Sequence, residues 1–160
     1  MSQTAERLAE LGIALPKPAA PVANYVPFVR TGSAPPLLFV SGQLPLGPDG
    51  TLSDRHKGKL GPESGVDAAR EAARLAAINV LAQAQAALGD LDKIVQTVRL
   101  GGFFNVAGAF DPLPQAMNGA SDLMVEALGD RGKHVRTTVG VAHLPLNALA
   151  EVEAIFMVSF

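Results

Sequence analysis

An α+β fold, one β-sheet carrying two helices on one of its faces, is predicted by three observations in this sequence. Apolar residues alternate in short paired runs, at 25–30 and 37–43 near the start and on either side of 144–149 at the end. One long alanine-rich helical pattern spans 64–88, and a shorter one runs from 111 to 128. The resulting order is strand, strand, long helix, strand, helix, strand, strand, with no repeat and no linker, so residues 1–160 form one domain.

Taken in order, Ser2 caps a short helix that runs to about Leu11 and stops at Gly12, with Leu8 and Leu11 on one side and Glu6 and Glu10 on the other. Residues 16–21 hold three prolines and read as an extended arm, because each proline fixes φ and removes a donor; residues 1–24 are thus an N-terminal helix and arm. The runs 25–30 and 37–43 are expected to pair antiparallel. Residues 44–61 are rich in Gly and Pro and form a long surface loop, with a turn at 47–50 and one short strand at 50–52. Within it, Arg55, His56, Lys57 and Lys59 make the chain's one basic cluster, best explained as solvated.

The long helix is capped by Ser64, carries Asp67 in its first turn and ends at Gly89. Asp67, Arg70, Glu71 and Arg74 mark its outer face, whereas Ala69, Ala73, Ala76, Ala77 and Val80 form a smooth stripe for close packing on a sheet. Residues 94–100 alternate as a strand, after which the Gly101-Gly102 pair predicts a loosening or bulge. Asp111 caps the second helix, with Pro112 in its first turn and Gly129 at its end. The last two runs, joined across 144–149, are expected to form a hairpin.

Composition narrows the function. The chain has no Cys, which excludes disulfides, a thiol nucleophile and Cys-based zinc sites, and fits a reducing compartment. A net charge of −2, one Tyr and no Trp provide neither the basic footprint nor the stacking surfaces of a nucleic-acid binder. The first residues carry Glu6, Arg7 and Glu10 and no long apolar run, so neither a signal peptide nor a membrane span is expected, and a cytoplasmic location is. His56, His134 and His143 lack metal-ligand spacing, and no phosphate-binding glycine loop is present, so no metal or cofactor is expected.

Charge placement in the last quarter points to a site. Val135, Thr137, Val139 and Val141 share one face of the first strand, and Arg136 and Thr138 the other; on the second strand, Glu151 and Glu153 share a face with Ile155 and Met157. An Arg and two carboxylates among strand residues are either solvated or assigned a task.

Arg136 followed by small residues, then Leu144-Pro145, then Glu151-x-Glu153-Ala154-Ile155, resembles the signature of the reactive intermediate deaminase (RidA, YjgF-like) family. Leu37 to Gly47, with its Ser41-Gly42-Gln43, is similar to that family's second strand. The resemblance covers about residues 25–158. It implies a chorismate-mutase-like fold with a mixed sheet, a homotrimer with ligand clefts between subunits, and cofactor-free hydrolysis of enamines and imines of small 2-amino acids to 2-keto acids and ammonia.

Carried over residue by residue, the resemblance implies that Arg136 anchors a substrate carboxylate, for which its planar fork of donors is suited. It implies that Glu151 holds the attacking water as general acid and base. Tyr25, Ser41, Gly42, Asn118 and Thr138 would line the cleft, with backbone groups near Gly42 and Ala142 at the nitrogen end. Two departures stand out: Ala23-Asn24 replaces the Gly-Pro that usually precedes the tyrosine, and Thr138 stands where many relatives have Cys. Each residue also has a plainer reading. Arg136 would be ion-paired to Glu151 or, more readily, Glu153; Tyr25 would be a core ring; Ser41 and Gly42 a strand end; Asn118 surface filler.

In a hairpin turning near Leu146 and Asn147, Arg136 sits beside Met157, so Glu151 lies about six residues along the sheet, roughly 20 Å away. One chain would not place both on one ligand, and the expectation is that Arg136 of one subunit and Glu151 of its neighbour share a cleft. The rival to the deaminase is a non-catalytic trimer that binds a small carboxylate or keto acid there, requiring Arg136 but not Glu151. A third reading, the ribonuclease activity attached to the family's name, sits badly with the acidic balance.

Overall fold

A computed structural model describes residues 2–32, 34–61 and 64–159; Ser33, in the predicted loop between the first two strands, lies outside them. Eight elements follow in order: α1 (Gln3–Glu10), β1 (Phe28–Arg30), β2 (Leu37–Gln43), α2 (Val66–Leu88), β3 (Ile94–Asn105), α3 (Leu113–Leu128), β4 (Val135–Val141) and β5 (Ala150–Val158). The strands form one mixed sheet in the order β1-β2-β5-β3-β4. Pairing is antiparallel except between β3 and β4.

This order overturns the predicted C-terminal hairpin. β4 and β5 are not neighbours, because β3 lies between them, with Arg136 opposite Leu100 and Leu100 opposite Ala154. The reason is topological. β3, α3 and β4 form a strand–helix–strand unit, whose crossover sets its two strands parallel. The chain then returns through a 3-10 turn at Pro145–Asn147 and enters the sheet on the far side of β3.

α2 and α3 pack together over one face of the sheet, as the element order predicts. Leu38, Leu100, Phe104, Val152, Ala154 and Phe156 point at them and are buried, Phe156 alone removing an apolar area worth about 1.5–3 kcal/mol. The alanine stripe of α2 is fully buried, and small residues carry the helix contact as well: a Cβ on Gly119 of α3 would fall on the Arg70 carbonyl oxygen. The outer edge of that contact is closed by Arg70–Asp122 at 2.7 Å and Arg74–Glu126 at 2.8 Å.

The other face is uncovered in the single chain. Val29, Phe39, Val135 and Val139 project from it, all exposed, around a cross-strand ion pair between Arg99 and Glu153 at 3.2 Å.

Local readings need several corrections. The expected strand 25–30 is reduced to Phe28–Arg30, so Tyr25 precedes the sheet, and 50–52 takes no strand conformation. Gly65, not Ser64, stands at the cap of α2, and Pro112, not Asp111, at the cap of α3; neither makes a side-chain cap bond. Ser2, Gly89 and Gly129 act as predicted. β3 does not loosen at Gly101-Gly102. A Cβ on Gly101 would meet the Glu153 side chain and one on Gly102 the Met117 sulfur, so these glycines admit neighbours on both faces of a continuous strand. Its irregularities lie earlier, at Val95 and Val98. The basic loop is not simply solvated: His56 is buried, Arg55 pairs with Glu71, and Lys59 donates to Asn105 and to the Ala142 carbonyl.

Candidate active site

Arg136 reaches the helical side of the sheet from β4, one of its two edge strands. Its Nη1 donates to Asn118 Oδ1 at 2.9 Å and to Ser121 Oγ at 3.0 Å, and its Nη2 to the Pro114 carbonyl at 3.1 Å. All three acceptors belong to α3, where Pro114, Asn118 and Ser121 recur at helical spacing along one face. Three of five N–H groups are thus held by protein. Two, on Nε and Nη2, have no partner among the described residues. Thr138, two residues along the same face, has a buried hydroxyl with no hydrogen-bond partner among them either. Arg136 and Asn118 are therefore brought together, and Thr138 stands two residues along the same face of β4.

Behind Arg136 stands a residue that sequence reasoning missed. His134 Nδ1 lies 2.6 Å from the Gly132 carbonyl, which accepts only from a protonated Nδ1, so Nε2 is the bare nitrogen. The Ser121 hydroxyl, 2.9 Å from Nε2, donates to it and offers its oxygen to Arg136. Burial, with the Arg136 charge as a further cause, pushes His134 below its ordinary value of 6.5 against the opposing Gly132 bond. The repeat of Asn118 and Ser121 three residues apart was the available signal for this support.

The remaining predicted residues gather elsewhere. At the β2 bulge between Val40 and Gln43, Ser41 Oγ donates to the Val26 carbonyl at 2.8 Å. The Glu151 side chain occupies the space that a Cβ on Gly42 would fill, which explains glycine at that position. Burial first, and the Glu153 charge second, raise the Glu151 carboxyl above its ordinary 4.5. Tyr25 and Gly42 line a groove of about 870 Å³ bounded by the N-terminal arm, the loop after β2 and the Pro145-Leu146 turn.

The structure does not bring these two groups together within one chain. β2 and β4 are three strand spacings apart, roughly 14 Å. Arg136 and Glu151 moreover leave opposite faces of the sheet, Arg136 towards α3 and Glu151 on the uncovered face with Glu153. Neither ion pair considered for Arg136 forms, since Glu153 is taken by Arg99. The 20 Å hairpin spacing was the wrong reason for separating the pair; opposite faces are the right one. The Ala142 carbonyl, expected at the nitrogen end, already accepts from Lys59. Phe104 is buried in the core, whereas Phe103 lies opposite Glu151 on the uncovered face. Among the described residues no cluster of His, Asp and Glu is arranged to hold a metal, and no helix is long and apolar enough to cross a membrane.

A five-stranded mixed sheet backed on one side by two packed helices defines this as a protein of the chorismate-mutase-like α+β class. Residues 5–157 match the family model described as "YjgF/chorismate mutase-like, putative endoribonuclease", and the chain belongs to that YjgF (RidA) family. It is 43% identical to Protein TCP17 of Trypanosoma cruzi over 96% of this chain and 92% of that one. It is likewise similar to a crystal structure of Atu1372 from Agrobacterium tumefaciens, a protein of unknown function, with 43% identity, a TM-score of 0.87 and coverage of 98% and 92%. A Shewanella oneidensis protein given the same endoribonuclease description is 36% identical, with a TM-score of 0.91 over 98% of this chain and all of that one.

Proposed function

We propose that this chain hydrolyses imines and enamines of 2-amino acids to 2-keto acids and ammonia, in clefts that two subunits of a homotrimer build together. The observation that carries the reading is the state of Arg136: a guanidinium fixed by α3 on one side, with two N–H groups left for the two oxygens of a carboxylate. Thr138 adds an unpartnered hydroxyl beside it. The half-buried Glu151 completes the chemistry from the neighbouring subunit.

In the reaction, a water held by Glu151 adds its oxygen to the imine carbon while the carboxylate takes the released proton. That proton passes to nitrogen to give the carbinolamine; the carboxylate then takes the hydroxyl proton and delivers it to the same nitrogen, so the C–N bond breaks and ammonia leaves as the C=O forms. Such substrates hydrolyse unaided, so orientation and these two proton relays suffice. Arg136→Ala is expected to abolish acceleration of imine loss while leaving the chain folded by circular dichroism. Full activity in that variant refutes the assignment.

One feature favours a second reading. Among the described residues Arg136 keeps two free N–H groups without any help from Glu151, as a trimer that only binds a small keto acid would require. Calorimetric titration with 2-ketobutyrate beside an imine-hydrolysis assay separates the two, since binding without turnover identifies the sensor.

A further inference from the structure

The groove beside Tyr25 and Gly42 is more than the candidate chemistry uses. Its walls are mostly apolar, with Pro18, Tyr25, Leu44, Leu46, Leu52 and Leu146 among the residues around about 870 Å³ and Lys17 and Asp49 as the charged ones, far more space than the methyl or ethyl group of a two- to four-carbon imine fills. Its walls are also fixed. Asn79, 3% exposed on α2, donates to the Leu46 carbonyl at 2.9 Å, and Gln83, 1% exposed, donates to the Ala19 carbonyl at 2.8 Å, pinning the arm. Gln83 continues to Gln43 Oε1 at 3.4 Å, and Gln43 Nε2 donates to the Ser41 carbonyl at 3.0 Å, so one line of buried amides ties the arm, α2 and the β2 bulge. At the rim, Leu146 is 67% exposed at a φ of 57° and Tyr25 is 47% exposed. An exposed leucine in left-handed backbone is costly twice over, and the arrangement makes sense where something apolar covers it.

We propose that this groove receives the side chain of the substrate, and that the substrate class is 2-imino and 2-oxo acids bearing a branched aliphatic or aromatic side chain. The inference rests on the reading above, in which Arg136 holds the carboxylate in a cleft shared by subunits, and it narrows that reading. Gly42 is the common point: the Glu151 side chain packs against it, and it is one of the residues lining the groove. A ligand whose reacting carbon lies at Glu151 would, in this reading, turn its side chain past Gly42 into the groove under the arm.

The test is calorimetric titration of the intact protein with pyruvate, 4-methyl-2-oxopentanoate and phenylpyruvate, beside hydrolysis assays of the imines generated in situ from alanine, leucine and phenylalanine by an amino-acid oxidase. Burying the larger side chains predicts affinity and kcat/KM each about tenfold to a hundredfold higher than for the alanine series. Leu146→Asp is expected to reduce that preference to about threefold or less. If the larger keto acids bind preferentially but no imine is hydrolysed, the groove assignment stands and the enzymatic reading falls. Equal or weaker affinity for the larger acids overturns the groove assignment, whether or not turnover occurs. So does a preference unmoved by Leu146→Asp, and so does failure of all three acids to bind.

Discussion

Three N–H groups of Arg136 are committed to α3, and the consequence is a charge that faces one direction. A lysine at that position keeps the charge and loses the fork, so Arg136→Lys is expected to lower kcat/KM at least about tenfold while the melting temperature barely moves. The measurement is imine hydrolysis beside a thermal melt. His134 gives this residue a pH dependence. Its folded value lies below 6.5, so below that pH the unfolded chain binds a proton that the folded chain refuses, and stability falls as pH drops from about 6.5 towards the lowered folded value. His134→Gln is expected to flatten that slope between pH 7.5 and 5.5; an unchanged slope would show the imidazole to be uninvolved. Glu151 has the opposite sign. Its carboxyl titrates above 4.5 in the fold, so ionisation opposes folding, and stability declines as pH rises from about 4.5 through the raised folded value. Glu151→Gln is expected to raise the melting temperature at pH 7 while abolishing turnover, which separates its chemical from its structural role.

At the scale of elements, the close approach of α2 and α3 depends on missing side chains. Gly119→Ala places a methyl group on the Arg70 carbonyl oxygen and forces the helices apart, with an expected loss of about 1–3 kcal/mol in urea unfolding. A neutral result would mean that the helix contact is looser than described. The exposed Arg99–Glu153 pair is worth much less, about 0–1 kcal/mol. The same scale shows what was legible in advance. β2 and α2 were readable, because alternation in 37–43 and the alanine stripe of 64–88 are local patterns that tertiary contacts reinforce. The pairing of β4 and β5 was not, since a short connection between two alternating runs reads as a hairpin, and only the β3–α3–β4 crossover decides otherwise. Gly101-Gly102 misled for a related reason: glycines in a strand mark either a break or a crowded neighbour, and alternation does not tell which. In the candidate site, the face carrying Arg136 and Thr138 was readable from period two alone. Of the Ser121–His134 support only the Asn118 and Ser121 spacing was readable, because a side chain of α3 meeting one just before β4 is a tertiary contact that neither element's own pattern encodes.

For the whole molecule, two incomplete groups and one uncovered apolar face have a common explanation. Val29, Phe39, Val135 and Val139 form a surface that a single chain leaves in water, and Arg136 and Glu151 sit on opposite faces of its sheet. The proposed cyclic trimer would cover the first and bring Arg136 of one copy to Glu151 of the next. Sedimentation at micromolar concentration is expected to give three times the chain mass, and Val139→Asp to lower it; a stable monomer would remove the shared cleft.

The most direct test mixes two disabled subunits. Arg136→Ala and Glu151→Gln chains, each inactive alone, are co-expressed in equal amounts and purified together. If every site takes its guanidinium from one copy and its carboxylate from the next, each group is intact with a chance of one half, and one half times one half returns about one quarter of wild-type activity. If both groups serve one site within the same chain, the mixed trimer shows none, and the shared cleft is wrong.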